Sequence, residues 1–136
     1  MKRIILIGVS LLALSCSNQK EEKGPQTEAL SPLSSEEVLR TYNLYRDGRY
    51  AELVDAILSC DGKDAAYREQ MATLFKQHAA DQKEQNGDIR STAVNAIVTD
   101  TTGNAATASL LVTYANGDTE TIQLQFIRSE GRWRLR

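Results

Sequence analysis

The sequence predicts an α+β fold in which three helices precede a four-stranded antiparallel sheet. Three observations support this prediction. Apolar residues recur at helical spacing between residues 34 and 85, and from Asp88 onward the period of the pattern changes to two. The dipeptide Asn116-Gly117 favours a tight hairpin turn between two of the alternating segments. Because consecutive strands joined by short turns tend to pair, the four strands are expected to form a meander.

The first two helices are marked by their ends. Ser34, with Glu37 three residues later, forms a capping-box signal at the start of the first apolar stripe. The second helix is predicted from Tyr50 onward and ends before Gly62, since glycine adopts the left-handed conformation that stops a helix.

The third helix is the longest and is predicted from Lys63 to Gln85. Asn86 and Gly87 follow it as a stop signal. Five side chains share one face of this helix. They are Tyr67, Met71, Leu74, Phe75 and His78. The last turns are nearly all polar and are therefore expected to lie in solvent.

Four segments after residue 87 have the alternation or the β-branched composition of strands. They read DIRSTAVNAIVTD, NAATASLLVTY, ETIQLQFIR and RWRL. A type I′ turn requires positive φ at both loop positions, which Asn116 and Gly117 tolerate. A two-residue loop at these positions pairs Leu111 with Ile122, so Leu111 is expected on the face that meets the helices.

The predicted core combines apolar residues of the second and third helices with the inward face of the strands. Its members are Leu53, Ile57, Leu74, Phe75, Leu111, Ile122, Leu124, Phe126 and Trp133. Truncating any of them to alanine is expected to lower the free energy of unfolding by about 2 to 5 kcal/mol.

The N-terminus has the layout of a secretory signal. Lys2 and Arg3 form a short positive region, residues 4–14 are apolar, and small residues precede Cys16. The apolar run is too short for a transmembrane helix, which needs about 20 residues. Residues 17–32 contain hardly any apolar side chains, and this composition is typical of a disordered tether.

This layout resembles a bacterial lipoprotein signal, in which the peptide is cut before a cysteine that is then acylated. Ala13 and Ser15 depart from the usual residues of the cleavage motif. The resemblance implies lipidation at Cys16, and Ser17 favours the outer membrane of a Gram-negative cell. The next residues, NQKEEK, are similar to tags that direct lipoproteins to the cell surface, and are equally typical of a solvated linker. An ordinary signal peptide with a cysteine nearby is the alternative to lipidation.

The chain is therefore predicted to have three parts. These are a signal peptide over residues 1–15, a lipid anchor and tether over residues 16–32, and one domain over residues 33–136. Without residues 1–15 the chain has 14 basic and 18 acidic side chains, which is a net charge of −4. The charges are mixed along every segment and form no basic stripe, so we expect no nucleic-acid partner.

The scarcity of cysteine and histidine limits the chemistry that the chain can perform. With Cys16 acylated, Cys60 is the only thiol left, so no intrachain disulfide is expected. His78 is the only histidine, and no signature links it to Cys60, which is interpreted as a structural residue of the interior. Neither a metal-ligand set nor a glycine-rich phosphate loop is present, so no metal site and no cofactor are predicted.

Several short motifs occur in an order similar to that of a nuclear-transport-factor-2-like domain. They are DGRY after the first helix, GDIRS before the sheet, YANGDTET at the hairpin and EGRWRL at the C-terminus. Residues 33–136 resemble an uncharacterised bacterial lipoprotein family, known only as a domain of unknown function with a nuclear-transport-factor-2-like or cystatin-like fold. The resemblance implies a curved sheet wrapped around the helices as a cone, often with a pocket at its open end.

Within this resemblance the candidate pocket residues are Tyr42, Tyr45, Tyr67 and His78. None matches an enzymatic motif of the superfamily, so no catalytic residue is assigned. The favoured hypothesis is a lipid-anchored, non-catalytic module that binds a small ligand or a protein on the periplasmic or surface-exposed side of the outer membrane. The alternative is a small cone-type enzyme, namely an isomerase, dehydratase or hydrolase. A monomer and a weak homodimer are both compatible with the polar outer face of the sheet.

Overall fold

The computed structural model describes residues 31–136, of which Pro32–Arg136 form one compact unit. Its elements are α1 (Ser35–Arg46), α2 (Tyr50–Ala56), a short 3₁₀ helix (Leu58–Cys60), α3 (Ala65–Asn86), β1 (Ile89–Thr99), β2 (Ala105–Tyr114), β3 (Thr119–Ser129) and β4 (Arg132–Leu135). The strands form one antiparallel sheet in the order β1-β2-β3-β4, which confirms the predicted α+β class and meander. None of the helices in this range has the length and hydropathy of a membrane-spanning segment. The predicted signal peptide, Cys16 and the tether up to residue 30 lie outside the described residues.

Two of the predicted helix ends are confirmed. Ser34 Oγ accepts a hydrogen bond from the backbone N–H of Glu37 at 3.1 Å, as the capping box indicates. Gly87 ends α3 with φ +83°, and a Cβ atom at this position would meet the Cβ of Ala115 at 2.9 Å. The end of α3 therefore lies directly against the loop that joins β2 to β3, and only glycine fits there.

Helix α2 is shorter than the sequence predicts. It ends at Ala56, and Ile57 is extended, with φ −92° and ψ 119°. Ile57 forms a parallel β-bridge with Leu135, so the backbone leaves the helix to cover the outer edge of β4. The following 3₁₀ turn buries Cys60, in agreement with its interpretation as a residue of the interior.

The turn between β2 and β3 is not of the predicted type. Its loop has three residues, because the Tyr114 N–H donates to Asp118 O and the Gly117 N–H donates to Tyr114 O, both at 2.9 Å. Within this loop only Gly117 has a positive φ, of +93°. A three-residue loop with glycine at its last position adds one residue to the hairpin, so the strand register moves by one from the predicted register.

This shift exchanges the two faces of β2. Leu110 pairs with Ile122, whereas the sequence predicted Leu111 at that place, so the prediction that Leu111 faces the helices is wrong. The two-residue turn with positive φ at both positions occurs instead between β3 and β4, at Glu130 (+53°) and Gly131 (+77°). The buried residues of β2 are Ala106, Ala108, Leu110, Val112 and Tyr114.

The main core lies between α1 and the inner face of the sheet. Its buried members are Leu33, Val38, Tyr42, Ala106, Ala108, Leu110, Val112, Tyr114, Phe126 and Trp133. Of the predicted core residues, Leu53, Phe126 and Trp133 are buried. Leu74 is 52% exposed, so its assignment to the core is wrong. The other predicted members are half-buried, namely Ile57, Phe75, Leu111, Ile122 and Leu124.

A buried arginine links β4 to α2. The Arg134 guanidinium donates two hydrogen bonds to the Asp61 carboxylate, at 2.8 and 3.1 Å, and one to the Asp55 carbonyl oxygen at 2.8 Å. The last bond satisfies a carbonyl in the final turn of α2. The hydrogen bond from Arg134 also holds the pKa of Asp61 below its usual value. The two partners are 73 residues apart in the chain, so no local pattern predicts this contact.

Candidate ligand-binding site

A cavity of about 370 Å³ lies where α3 faces α1 and the inner side of the sheet. This volume is within the range of small-molecule sites, which is about 300 to 1,000 Å³. The cavity wall on α3 consists of Met71, Leu74, Phe75 and His78. The remaining lining residues are Thr41, Tyr42, Tyr45, Leu53, Tyr114, Ile122, Leu124 and Leu135. None of the lining residues is a lysine, arginine, aspartate or glutamate.

The cavity exists because α3 does not pack closely on the sheet. The helix contains no buried residue, although Met71, Leu74 and Phe75 follow helical spacing and face the cavity. Apolar surface that stays in contact with water forgoes about 25 cal/mol of stabilisation per Å². A bound apolar molecule would recover part of this free energy.

Polar contacts at its two ends hold α3 in place. Near its start, Arg68 donates to the Cys60 carbonyl oxygen at 3.0 Å and forms an ion pair with Asp55. At its end, the Asn116 N–H donates to the Asn86 carbonyl oxygen at 3.1 Å. These contacts fix the two ends of the helix, while the apolar side chains in its middle border the cavity.

Tyr42 lines the cavity, but its hydroxyl oxygen is buried. The residue is 5% exposed, and its hydroxyl has no hydrogen-bond partner among residues 31–136. Burial raises the pKa of this phenol, with smaller contributions from Tyr45 and from the negative charge of Glu120. The hydroxyl is therefore protonated at physiological pH. Leaving a buried hydroxyl without a partner destabilises a fold by about 1 to 3 kcal/mol.

Tyr45 and His78 connect α1 to α3 at the cavity. The Tyr45 hydroxyl oxygen lies 2.7 Å from His78 Nδ1, and the two ring centroids are 5.9 Å apart. Burial, followed by the neighbouring Tyr50 and Glu120, raises the pKa of Tyr45 to about 12. Either group can donate in this hydrogen bond, depending on the tautomer of His78, and in both cases the hydroxyl of Tyr45 already has its partner.

Tyr114 and Glu120 form the second polar pair beside the cavity. The Tyr114 hydroxyl donates to Glu120 Oε1 at 2.7 Å. Burial and this carboxylate both raise the pKa of Tyr114. Glu120 does not line the cavity itself, but its carboxylate contacts the hydroxyl of Tyr114, which does.

A second, more polar depression of about 440 Å³ shares Tyr45 and Tyr114 with the cavity. The charged residues that line it are Arg46, Asp47, Lys83 and Asp88. Lys83 and Asp88 are 3.4 Å apart and neutralise each other. Because positive and negative side chains are equal in number, this depression favours neither anions nor cations.

Three of the four predicted pocket residues, Tyr42, Tyr45 and His78, line the cavity together. Tyr67 does not line it. It is 39% exposed in the first turn of α3, and the Lys63 ammonium lies 5.3 Å from its ring centroid. Helical spacing places Tyr67 on the same helix face, but that face extends beyond the cavity at its N-terminal end.

Sequence reasoning did not find Tyr114 and Glu120. Their side chains meet across the β2–β3 turn, six residues apart in the chain. Tyr114 faces inward only in the register that the three-residue loop imposes. The alternation of Leu110, Val112 and Tyr114 could have identified Tyr114 as an inward-facing residue. The predicted register, however, placed these three residues on the outer face of the sheet.

The cavity wall is largely apolar, and the hydroxyls of its tyrosines are either hydrogen-bonded or buried. Within the described part of the chain, no three His, Cys, Asp or Glu side chains are grouped so that they could hold a metal ion. Phenols whose pKa values are raised donate hydrogen bonds but are not available as bases at neutral pH. The geometry therefore suits binding of a largely apolar molecule.

Three helices followed by a four-stranded antiparallel sheet are an α+β fold similar to the nuclear-transport-factor-2-like fold. A solved structure from Campylobacter jejuni, described as a "Putative NTF2-like transpeptidase", matches with a TM-score of 0.59 and 13% sequence identity. The match covers 75% of this chain and 97% of that chain. At this identity the likeness shows the fold alone.

Two further solved structures are less similar. A SEC-C motif containing protein from Rhodopseudomonas palustris matches with a TM-score of 0.48 and 18% identity, over 79% of this chain and 76% of that chain. The intermembrane space region of the chloroplast protein ARC6 matches with a TM-score of 0.39 and 13% identity, over 77% and 94% of the respective chains. Scores below 0.5 do not establish a shared fold. No family model and no curated protein matches the sequence.

Proposed function

We propose that this protein is a non-catalytic binding module of the cell envelope, which holds a small, largely apolar molecule between α3 and the sheet. The observation that carries the proposal is the cavity of about 370 Å³, whose lining contains no Lys, Arg, Asp or Glu side chain. Sites for small molecules are typically concave and mostly apolar, with a few polar groups that orient the ligand. The few polar side chains of the lining are Thr41, Tyr42, Tyr45, His78 and Tyr114.

Binding is favoured over catalysis by the state of the polar groups. His78 Nδ1 is hydrogen-bonded to Tyr45, and Glu120 accepts from Tyr114, so both candidate bases already have a hydrogen-bond partner. The raised pKa values of the three phenols keep them protonated. An isomerase or dehydratase needs a base that is free to take a proton from its substrate. No Asp or Glu lines the cavity, and the lining His78 is hydrogen-bonded to Tyr45.

A titration with Nile red, a neutral apolar dye, tests the cavity directly. The chain from residue 16 onward with Cys16→Ser is expected to enhance the dye's fluorescence. Leu74→Glu should abolish this effect, because it places a charge in the cavity wall at a position that is 52% exposed and so tolerates the side chain.

Val98→Glu is the matched control, since Val98 is 67% exposed on β1 and does not line the cavity. Equal dye binding by both variants, with melting temperatures near that of the parent, would contradict the proposed site.

The envelope location is proposed from the N-terminal pattern, in which a positive start and an apolar run precede Cys16. Expression of the full chain in a Gram-negative host with labelled palmitate tests it. The label is expected on the parent chain and not on Cys16→Ser. A parent chain that is exported without label would support an ordinary signal peptide instead.

A further inference from the structure

We infer that the ligand is an amphiphile with a zwitterionic headgroup, which lies lengthwise along α3 with its hydrocarbon chain in the cavity and its headgroup in the polar depression. This inference rests on the proposed function and names the chemical class of its ligand. It depends on the order in which the cavity and the depression follow one another along the helix, and on the charges of the depression.

The cavity and the depression lie end to end along one side of α3. The helix lines the cavity with residues between positions 71 and 78, and it lines the depression with residues between positions 79 and 83. Residues four positions apart share a helix face, so Phe75, Ala79 and Lys83 continue one line from the cavity into the depression. Tyr45 and Tyr114 border both. At a rise of about 1.5 Å per residue, the stretch of α3 from position 71 to position 83 is about 18 Å long.

The polarity of the lining changes along this stretch. No Lys, Arg, Asp or Glu side chain lines the cavity, whereas four charged side chains line the depression. A purely apolar ligand would match the cavity alone, and a purely polar ligand would leave the apolar wall in water. A molecule with one apolar end and one polar end matches both parts.

The charges of the depression are balanced, which favours a headgroup that carries both signs. Lys83 and Asp88 lie 3.4 Å apart, so each already has an opposite charge nearby. Arg46 and Asp47 are exposed, and neither forms an ion pair with another residue in the range 31–136. A zwitterion can place its negative group near Arg46 and its positive group near Asp47, whereas a singly charged headgroup also meets a like charge.

Four amphiphiles, each with a chain of twelve carbon atoms, test the headgroup as competitors of Nile red below their micelle concentrations. They are dodecylphosphocholine, dodecyl maltoside, dodecyltrimethylammonium and dodecanoate. The phosphocholine should bind about threefold more tightly than each of the others, since ion pairs at exposed sites change an affinity by about this factor. Glycerophosphocholine, which has the headgroup without the chain, should not displace the dye.

Lys83→Glu tests whether the headgroup lies in the depression. It leaves Arg46 as the one positive side chain in the lining of the depression, so dodecyltrimethylammonium should bind about threefold more tightly than to the parent, and dodecanoate more weakly by a similar factor. Lys63→Glu is the matched control. It makes the same change in net charge, but Lys63 is exposed, precedes the first turn of α3 and lines neither the cavity nor the depression.

The outcomes separate this inference from the proposed function. Failure of Nile red to bind the parent would contradict the proposed function. Dye binding without a preference for the phosphocholine, or displacement of the dye by glycerophosphocholine, would overturn this inference and leave the proposed function standing. The same holds if Lys83→Glu, while still binding the dye, changes the affinities no more than Lys63→Glu does.

Discussion

At the scale of single residues, Tyr42 combines a well-packed ring with a hydroxyl that is buried and unpaired. Its ring belongs to the core between α1 and the sheet and packs against Tyr45, with the ring centroids 5.6 Å apart. Its hydroxyl, however, has no partner among the described residues. Burial of the ring and the missing hydrogen bond of the hydroxyl therefore act on stability in opposite directions.

We expect Tyr42→Phe to raise the free energy of unfolding of the ligand-free protein by about 1 kcal/mol, since it removes a buried polar atom without leaving a cavity. Urea denaturation measures this difference. Tyr67→Phe serves as the control, and its exposed hydroxyl should change the stability by less than about 0.5 kcal/mol. If Tyr42→Phe proved less stable than the parent, the hydroxyl would have to be hydrogen-bonded in solution.

At the scale of the elements, the register of β2 and β3 decides which residues form the core. Leu110 and Leu111 are adjacent and chemically identical, but Leu110 is fully buried on the inner face and Leu111 is half-buried on the outer face. Leu110→Ala is expected to destabilise the protein by about 2 to 5 kcal/mol, and Leu111→Ala by clearly less. Thermal melts of the two variants make the comparison. Equal losses would contradict the three-residue hairpin loop.

The contact between β4 and α2 is expected to make stability depend on pH. Arg134 lowers the pKa of Asp61 in the folded protein relative to its unfolded value of about 3.9. The unfolded chain therefore binds more protons in this range, and the stability that the pair contributes is complete above the unfolded pKa and is lost as the pH falls through the folded pKa.

Urea denaturation of the parent and of Asp61→Asn between about pH 7 and pH 2 tests this dependence. The parent should be the more stable protein at neutral pH, and its advantage should disappear in acid. The carboxylate of Asp100 also has a lowered pKa, and it is present in both proteins, so its contribution cancels in the comparison. A difference that stays constant with pH would show that Asp61 contributes no charge-dependent stability.

At the scale of the whole domain, the fold consists of a tight core and a loosely packed helix. Helix α1 and the sheet share the buried cluster, whereas α3 has no buried residue. Regions with few buried apolar contacts open locally at a low free-energy cost. We therefore expect amide protons in the middle of α3 to exchange with solvent faster than those of β2, and we expect saturating Nile red to slow them.

Hydrogen exchange followed by mass spectrometry measures both effects on the same sample. The β2 peptides provide the internal control, since their alternate residues are buried. Equal protection of α3 and β2 in the free protein would mean that the cavity is closed in solution.

Local signals account for most of what could be predicted. The Ser34 cap, the Gly87 stop and the alternation of the strands depend on residues close together in the chain, and these predictions were confirmed. The length of α2 could not be predicted in this way. Ile57 fits the helical stripe, but it forms a β-bridge with Leu135, which is far away in the sequence and close in space.

The candidate site was predictable only in part, for the same reason. Tyr42, Tyr45 and His78 share faces of two helices, so helical spacing was enough to group them. Tyr114 was missed because an extra residue in the hairpin loop reverses the face on which it lies. Tyr67 was grouped with them but does not line this cavity, because helical spacing defines a face and not the length over which that face borders a cavity.

The sequence by itself determined the class of the fold, the order of its elements and most of their ends, because periodicity, caps and turn residues act over a few positions. Only the tertiary structure decided the register of β2, the Arg134–Asp61 contact and the open space under α3. Each of these depends on atoms brought together from distant parts of the chain. Their energies arise from packing and burial, which no local pattern contains.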